Sequence, residues 1–197
     1  MTLPLVAHTS NEVRYYLMVT ACARCGHGPW ILQQDPVVDF AAGAVTARAR
    51  CKTCSLEREF SFQCSPPPRP ADAEGESINP IGEPSRIIDL GQWLSLFYLL
   101  LESASAETLP PAVRRQEYRA ALCLSEALKF YEQDELPPAS AFFAQASREA
   151  FHEHPENFAQ QKLRDMLSRL PSLTSLAGKA DRDDHARNAR WWRFWKR

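Results

Sequence analysis

The chain has 197 residues, 45% of them hydrophobic and 24% charged, and a net charge of −1. That length holds one ordinary domain, or a small domain beside a medium one, and the composition is that of a soluble globular protein. A bilayer-spanning chain is excluded: the longest apolar stretch, Ile87–Leu101, is broken by Asp89 and Gln92 and is too short to cross.

Charge is unevenly spread. Residues 1–64 carry six basic and five acidic side chains, 65–84 one and four, 85–177 nine and twelve, and 178–197 seven and three. The one strongly basic piece is therefore the C-terminal end. Met1–Ser10 lacks a charged stretch leading into a long apolar core, so no secretory leader is expected.

In chain order, Val13–Thr20 is β-branched and aromatic and reads as a strand running into Cys22-Ala-Arg-Cys25. Trp30-Ile-Leu leaves that motif as a second strand. Val45, Ala47 and Ala49 alternate with Thr46, Arg48 and Arg50, the period of a half-exposed strand entering Cys51-Lys-Thr-Cys54. Leu56–Cys64 leaves it, with Phe60 and Phe62 on one face. Ser65–Pro84 turns abruptly to proline and small polar residues, which cannot build a core and read as an inter-domain linker.

Helical patterning follows. Asp89 with Gln92 three residues on has the form of a capping box, and Leu90, Leu94, Phe97 and Leu101 then share a face widened by Trp93 and Leu100. This helix is expected to be the most buried. A second opens after Pro110-Pro111 and carries Ala120, Ala121, Leu124 and Leu128. Pro137-Pro138 starts a third piece through Phe142, Phe143 and Ala146, with another beginning near Ser147. A last helix follows Pro155 with Leu163, Met166, Leu167 and Leu170. Ala120, Leu124 and Ala127 resemble the second helix of a tetratricopeptide unit, but the polar, proline-bearing Ala104–Pro111 stands where its first helix belongs. A single bundle is the reading.

Four thiolates at Cys22, Cys25, Cys51 and Cys54 can close a tetrahedral shell round one structural Zn²⁺, leaving no position for a catalytic water. Gly26 after Cys25 lets backbone N–H groups turn toward sulfur; Ser55, in the matching place after Cys54, predicts a less regular second turn. Strand, knuckle, strand, twice over, resembles the zinc-ribbon superfamily, across about a quarter of the chain. Such ribbons serve transcription, translation, ubiquitin-type and assembly machinery, so the resemblance implies a fold and a metal and leaves function open. The expected fold is α+β: a small antiparallel zinc ribbon (1–64), a Pro-rich linker (65–84), an all-α bundle (85–177) and a flexible basic, aromatic tail (178–197).

Other residues are weighed on the same footing. His27 is expected on the exposed knuckle, Cys64 and Cys123 in the core, and His152 and His154 on a solvated helix end. No nucleophile–base set, phosphate-binding loop or H-E-x-x-H is present, so no enzyme activity and no small-molecule substrate are expected. Trp191, Trp192, Arg193, Phe194 and Trp195 are residue types of interface hot spots and suggest a protein partner, with a membrane surface the weaker target. Arg48, Arg50, Lys52 and Arg58, with Tyr15, Tyr16 and Trp30 nearby, offer an alternative nucleic-acid face, weakened by the interleaved Glu57 and Glu59. Paired thiols without a leader point to the cytoplasm. The expected function is a non-enzymatic adaptor.

Overall fold

Thr9 decides the first helix. In the computed structural model, which describes residues 5–65 and 78–170, the Thr9 hydroxyl accepts the Glu12 N–H at 3.1 Å and starts α1, Ser10–Val19. Residues 13–19 are thus helical, which corrects the strand expected there. Local composition favoured β structure, but the cap and the inward face formed by Glu12, Val13 and Leu17 outweigh it. The strand nearest the N-terminus is instead β1, Leu5–Ala7.

β1 and the strands β2 (Trp30–Leu32), β3 (Val37–Asp39), β4 (Ala44–Cys51) and β5 (Glu57–Cys64) form one sheet in the order β1-β5-β4-β2, with β3 also on β4. β1 runs parallel to β5 and the other pairings are antiparallel. The alternation read from the sequence holds: Val45, Ala47 and Ala49 face inward opposite Phe62, Phe60 and Arg58. Each fully buried aromatic of this kind is worth about 1.5–3 kcal/mol. α1 lies on this face, and Tyr16 meets Phe62 edge-on at 5.4 Å and Phe60 at 6.5 Å.

A neighbouring side of α1, about 100° round from Tyr16, meets the helices. Tyr15 packs on Trp93 at 5.8 Å between ring centroids, and Arg119 stands 5.6 Å over the Tyr15 ring. Trp93 belongs to α2, Leu90–Ala106, which opens with the expected Asp89–Gln92 capping box. α3, Pro110–Leu128, starts with its two prolines and lays Ala120, Ala121, Leu124 and Ala127 in the core. The small alanines let α3 approach α2 closely. α4, Gln145–Glu153, and α5, Gln160–Ser168, complete the helices, each preceded by a short 3₁₀ turn, at Ala139–Ala141 and Pro155–Phe158. Phe142, Phe151 and Phe158 pack together there, their ring centroids 4.6–5.4 Å apart.

Asp89 also fixes α4. Besides the Gln92 N–H at 2.8 Å, its carboxylate accepts Ser147 Oγ at 2.8 Å, Phe143 N–H at 3.0 Å and Ala144 N–H at 2.7 Å. α2 and α4 touch so closely that a Cβ on Gly91 would stand 2.6 Å from Ser147 Oγ.

Buried apolar side chains of the sheet, α1 and the helices belong to one contiguous cluster. Ile78 and Asn79, within the stretch that reads as linker, are buried in it or against it. Residues 66–77 and the tail from 171 onward lie outside the described residues, so most of the Pro-rich stretch and all of the Trp/Arg cluster do too. Among the described residues no helix is long and apolar enough to cross a membrane.

Candidate metal centre

β4 and the β2 approach carry two turns of the same design. In the first, Gly26 N–H donates to Cys22 O at 2.8 Å and Cys22 N–H to His27 O at 2.7 Å; in the second, Ser55 N–H donates to Cys51 O at 3.0 Å and Cys51 N–H to Leu56 O at 2.8 Å. Gly26 has φ +73° and Ser55 φ +58°, both left-handed. Ser55 therefore copies the glycine turn rather than departing from it, a correction to the less regular second turn expected, and accepts the strain of a side chain in that region. Lys52 N–H donates to Pro29 O at 3.0 Å, and Trp30 is paired with Cys51 across the sheet, so the two turns are bound to each other by backbone.

This frame brings the four sulfurs together. Cys22 Sγ lies 3.7 Å from Cys54 Sγ and Cys25 Sγ 3.7 Å from Cys51 Sγ, and all four sulfurs are within 4.8 Å of one another. A tetrahedron with Zn–S bonds of about 2.3 Å has edges of about 3.8 Å, so the spacing fits a metal. It is far too wide for a disulfide, and all six cysteines are free. Cys22 and Cys51 are buried while Cys25 and Cys54 reach the surface. The backbone N–H groups of Cys54 and Thr53 turned toward Cys51 bring its thiol down to about 7. At Cys25 the backbone contact with His27 favours the thiolate, but burial and the three neighbouring sulfurs outweigh it and push the thiol up to about 11.

Among the described residues this is the one group of His, Cys, Asp or Glu side chains with metal-holding geometry. Cys64 ends β5 in the core and Cys123 is buried in α3. His27 is exposed and contributes its carbonyl rather than its ring. His152 and His154 are exposed at the end of α4, where His154 Nδ1 is 3.3 Å from Glu156.

The basic residues near the second turn do not form one patch. Arg48 and Arg50 lie on the outer face of β4, where Arg48 pairs with Glu59 at 2.8 Å and Arg50 stands opposite Glu57. Arg58 lies on the other face, its guanidinium 4.9 Å over the Phe60 ring, and Lys52 is out on the turn. Tyr15 and Trp30, expected to offer stacking surfaces, are buried, and Tyr16 is half-buried against Phe60 and Phe62. Trp191, Trp192, Arg193, Phe194 and Trp195 lie outside the described residues.

The residues that reading the sequence passed over are His8, Glu12 and Glu126, all buried. One signal was there: Thr9-Ser-Asn-Glu12 has the acidic residue at the place of a capping box, three beyond the cap. Comparison of the chain with protein-family models, with curated proteins and with solved structures gives no match.

Proposed function

We propose that this chain is a non-enzymatic adaptor whose sheet is fastened by one structural Zn²⁺ on Cys22, Cys25, Cys51 and Cys54. The observation that carries the metal reading is the closure of four sulfurs at tetrahedral spacing by two turns of matching backbone. Soft, anionic thiolates select zinc over magnesium or calcium, and a four-sulfur shell leaves no open position for substrate or water. Zinc here supplies cross-linking, not Lewis-acid chemistry. The adaptor reading is supported by the tail: Trp191, Trp192, Phe194 and Trp195 beside Arg193 are the residue types that anchor protein–protein interfaces.

Two measurements test the halves separately. Elemental analysis of reduced protein is expected to give one zinc per chain, and Cys51→Ala to lose it; metal-free wild-type protein that melts like the zinc-treated sample rejects the metal centre. Affinity capture from the native host is expected to recover a partner that is lost on deleting residues 191–197. Recovery undiminished by that deletion rejects the tail as the docking element.

A further inference from the structure

α2 has a side that its neighbours leave open. α1, α3 and α4 pack on the rest of the helix, while Ser95, Tyr98, Leu99, Glu102 and Ala106, spaced three or four apart, form one exposed stripe. Tyr98 is 44% and Leu99 47% exposed, and Leu109, in the turn that follows, 64%. Ser95 Oγ donates to the Gly91 carbonyl and Ser103 Oγ to the Leu99 carbonyl, each at 2.9 Å, so these hydroxyls turn back on the helix. The Tyr98 ring is held edge-on against buried Phe97, with 5.0 Å between centroids, and makes a fixed aromatic platform.

Charge along this stretch has one sign. Between Arg86 and Arg114 the chain carries Asp89, Glu102 and Glu107 and no lysine or arginine. Asp89 is buried; Glu102 and Glu107 are exposed. Other exposed apolar side chains are differently placed. Ile31, on the same sheet face as Val37, stands opposite Arg50. Arg148 Nη1 donates to the Phe143 carbonyl, and Leu136 lies in a loop before two prolines. A basic, aromatic ligand therefore meets carbon and carboxylates on α2, and guanidinium groups beside Ile31 or Phe143.

The chain contains such a ligand. Residues 186–197 hold five basic and no acidic side chains, with Trp191, Trp192, Phe194 and Trp195 among them. The described residues end at Leu170, just beyond α5, which packs on α3, and α3 packs on α2. Two such helix-to-helix steps span about 16–20 Å. The twenty residues between Leu170 and Trp191 extend up to about 65 Å, so the segment reaches α2 without displacing any described element.

We propose that the outer face of α2 is the docking site of the chain's own C-terminal segment. The aromatic side chains of residues 191–195 cover Tyr98 and Leu99, an arginine stacks on the Tyr98 ring, and the remaining basic groups face Glu102 and Glu107. Tethering makes even a shallow contact effective. At an effective concentration of about 1 mM, a contact with a Kd of about 0.1 mM is closed about nine-tenths of the time. The clasp rests on the adaptor reading for its use: a partner that takes the tail must first lift it from α2, so only a surface that binds it more tightly succeeds.

The test uses dilute, full-length, zinc-treated protein with the photo-cross-linker benzoylphenylalanine in place of Ser95. Irradiation should join position 95 to residues 186–197 of the same chain, read by peptide mapping. Leu99→Lys gives up one leucine's burial and adds a like charge, at least about tenfold in affinity, so the cross-link yield should fall by about half. Cross-links only between chains assign the face to a second copy and overturn the clasp, as does a yield untouched by Leu99→Lys. Without any photoprobe, deleting residues 191–197 should shift the amide resonances of residues 95–102, equally at every protein concentration. Unshifted resonances overturn the clasp even if the Ser95 variant does not fold. Purified chain suffices for all of this, so an intact cross-link beside failed partner capture rejects the adaptor reading alone.

Discussion

Gly26 and Ser55 occupy the same backbone position in two copies of one turn, and only one of them is suited to it. A Cβ on Gly26 would meet nothing within 4 Å, so the cost of Gly26→Ala is that of the left-handed backbone alone. That substitution is expected to lower stability by about 1 kcal/mol, and Ser55→Gly to raise it by about 0.5–1 kcal/mol, the unfolded-state freedom of glycine offsetting part of the relief. Urea unfolding of metal-loaded protein reads both; a Ser55→Gly chain less stable than wild type would show that the hydroxyl matters more than the strain. The thiols give a second outcome at this scale. With Cys25 pushed up to about 11, metal binding near neutrality must displace its proton, and below about 7 it must displace that of Cys51 as well. Affinity is therefore expected to fall by at least about tenfold per pH unit on acidification, more steeply below pH 7. Chelator competition at several pH values measures this, and a pH-independent affinity contradicts it.

Among the elements, α2 and α4 depend on a single carboxylate. Asp89 takes four hydrogen bonds, from Gln92, Phe143, Ala144 and Ser147, and is fully buried. Asp89→Ala leaves these donors unanswered and should cost about 3 kcal/mol or more, read as a lowered urea midpoint. A loss below 1 kcal/mol would mean that water replaces the carboxylate at no great cost. The capping role was legible from Asp89 and Gln92 alone, because a cap is local. The α4 role was not, since Ser147 is fifty-eight residues away and nothing in the spacing links them. α1 makes the same point from the other side. Val13, Tyr15, Tyr16 and Val19 favour a strand by composition, and the Thr9 cap with the buried Glu12 prevails only because both the sheet and α2 are present to cover a helix there.

At the scale of the molecule, α1 is the middle layer. Its C-terminus leads into the first cysteine turn, Tyr16 packs on the sheet and Tyr15 on Trp93 of α2. Removing the metal should therefore loosen more than the knuckles. Chelation is expected to raise hydrogen exchange in residues 10–19 and in β2 and β4, and to change the near-ultraviolet dichroism of Trp93, while α3 and α5, packed on each other, change least. Exchange in α1 that is the same with and without metal would separate the metal centre from the layer contact.

What is local or periodic could be read along the chain: two C-x-x-C turns able to share an ion, inward alternation in β4 and β5, an Asp89 cap, and prolines at helix junctions. These are legible because each is set by spacing along one short segment. Contacts between distant segments settled that residues 13–19 coil into a helix, that Arg58 faces away from Arg48 and Arg50, that Ser55 adopts a glycine's conformation, and that His8, Glu12 and Glu126 are each buried. Each of those outcomes depends on which distant surface arrives to cover a side chain, and burial changes the energy of a charge or a helix face by more than local preference does.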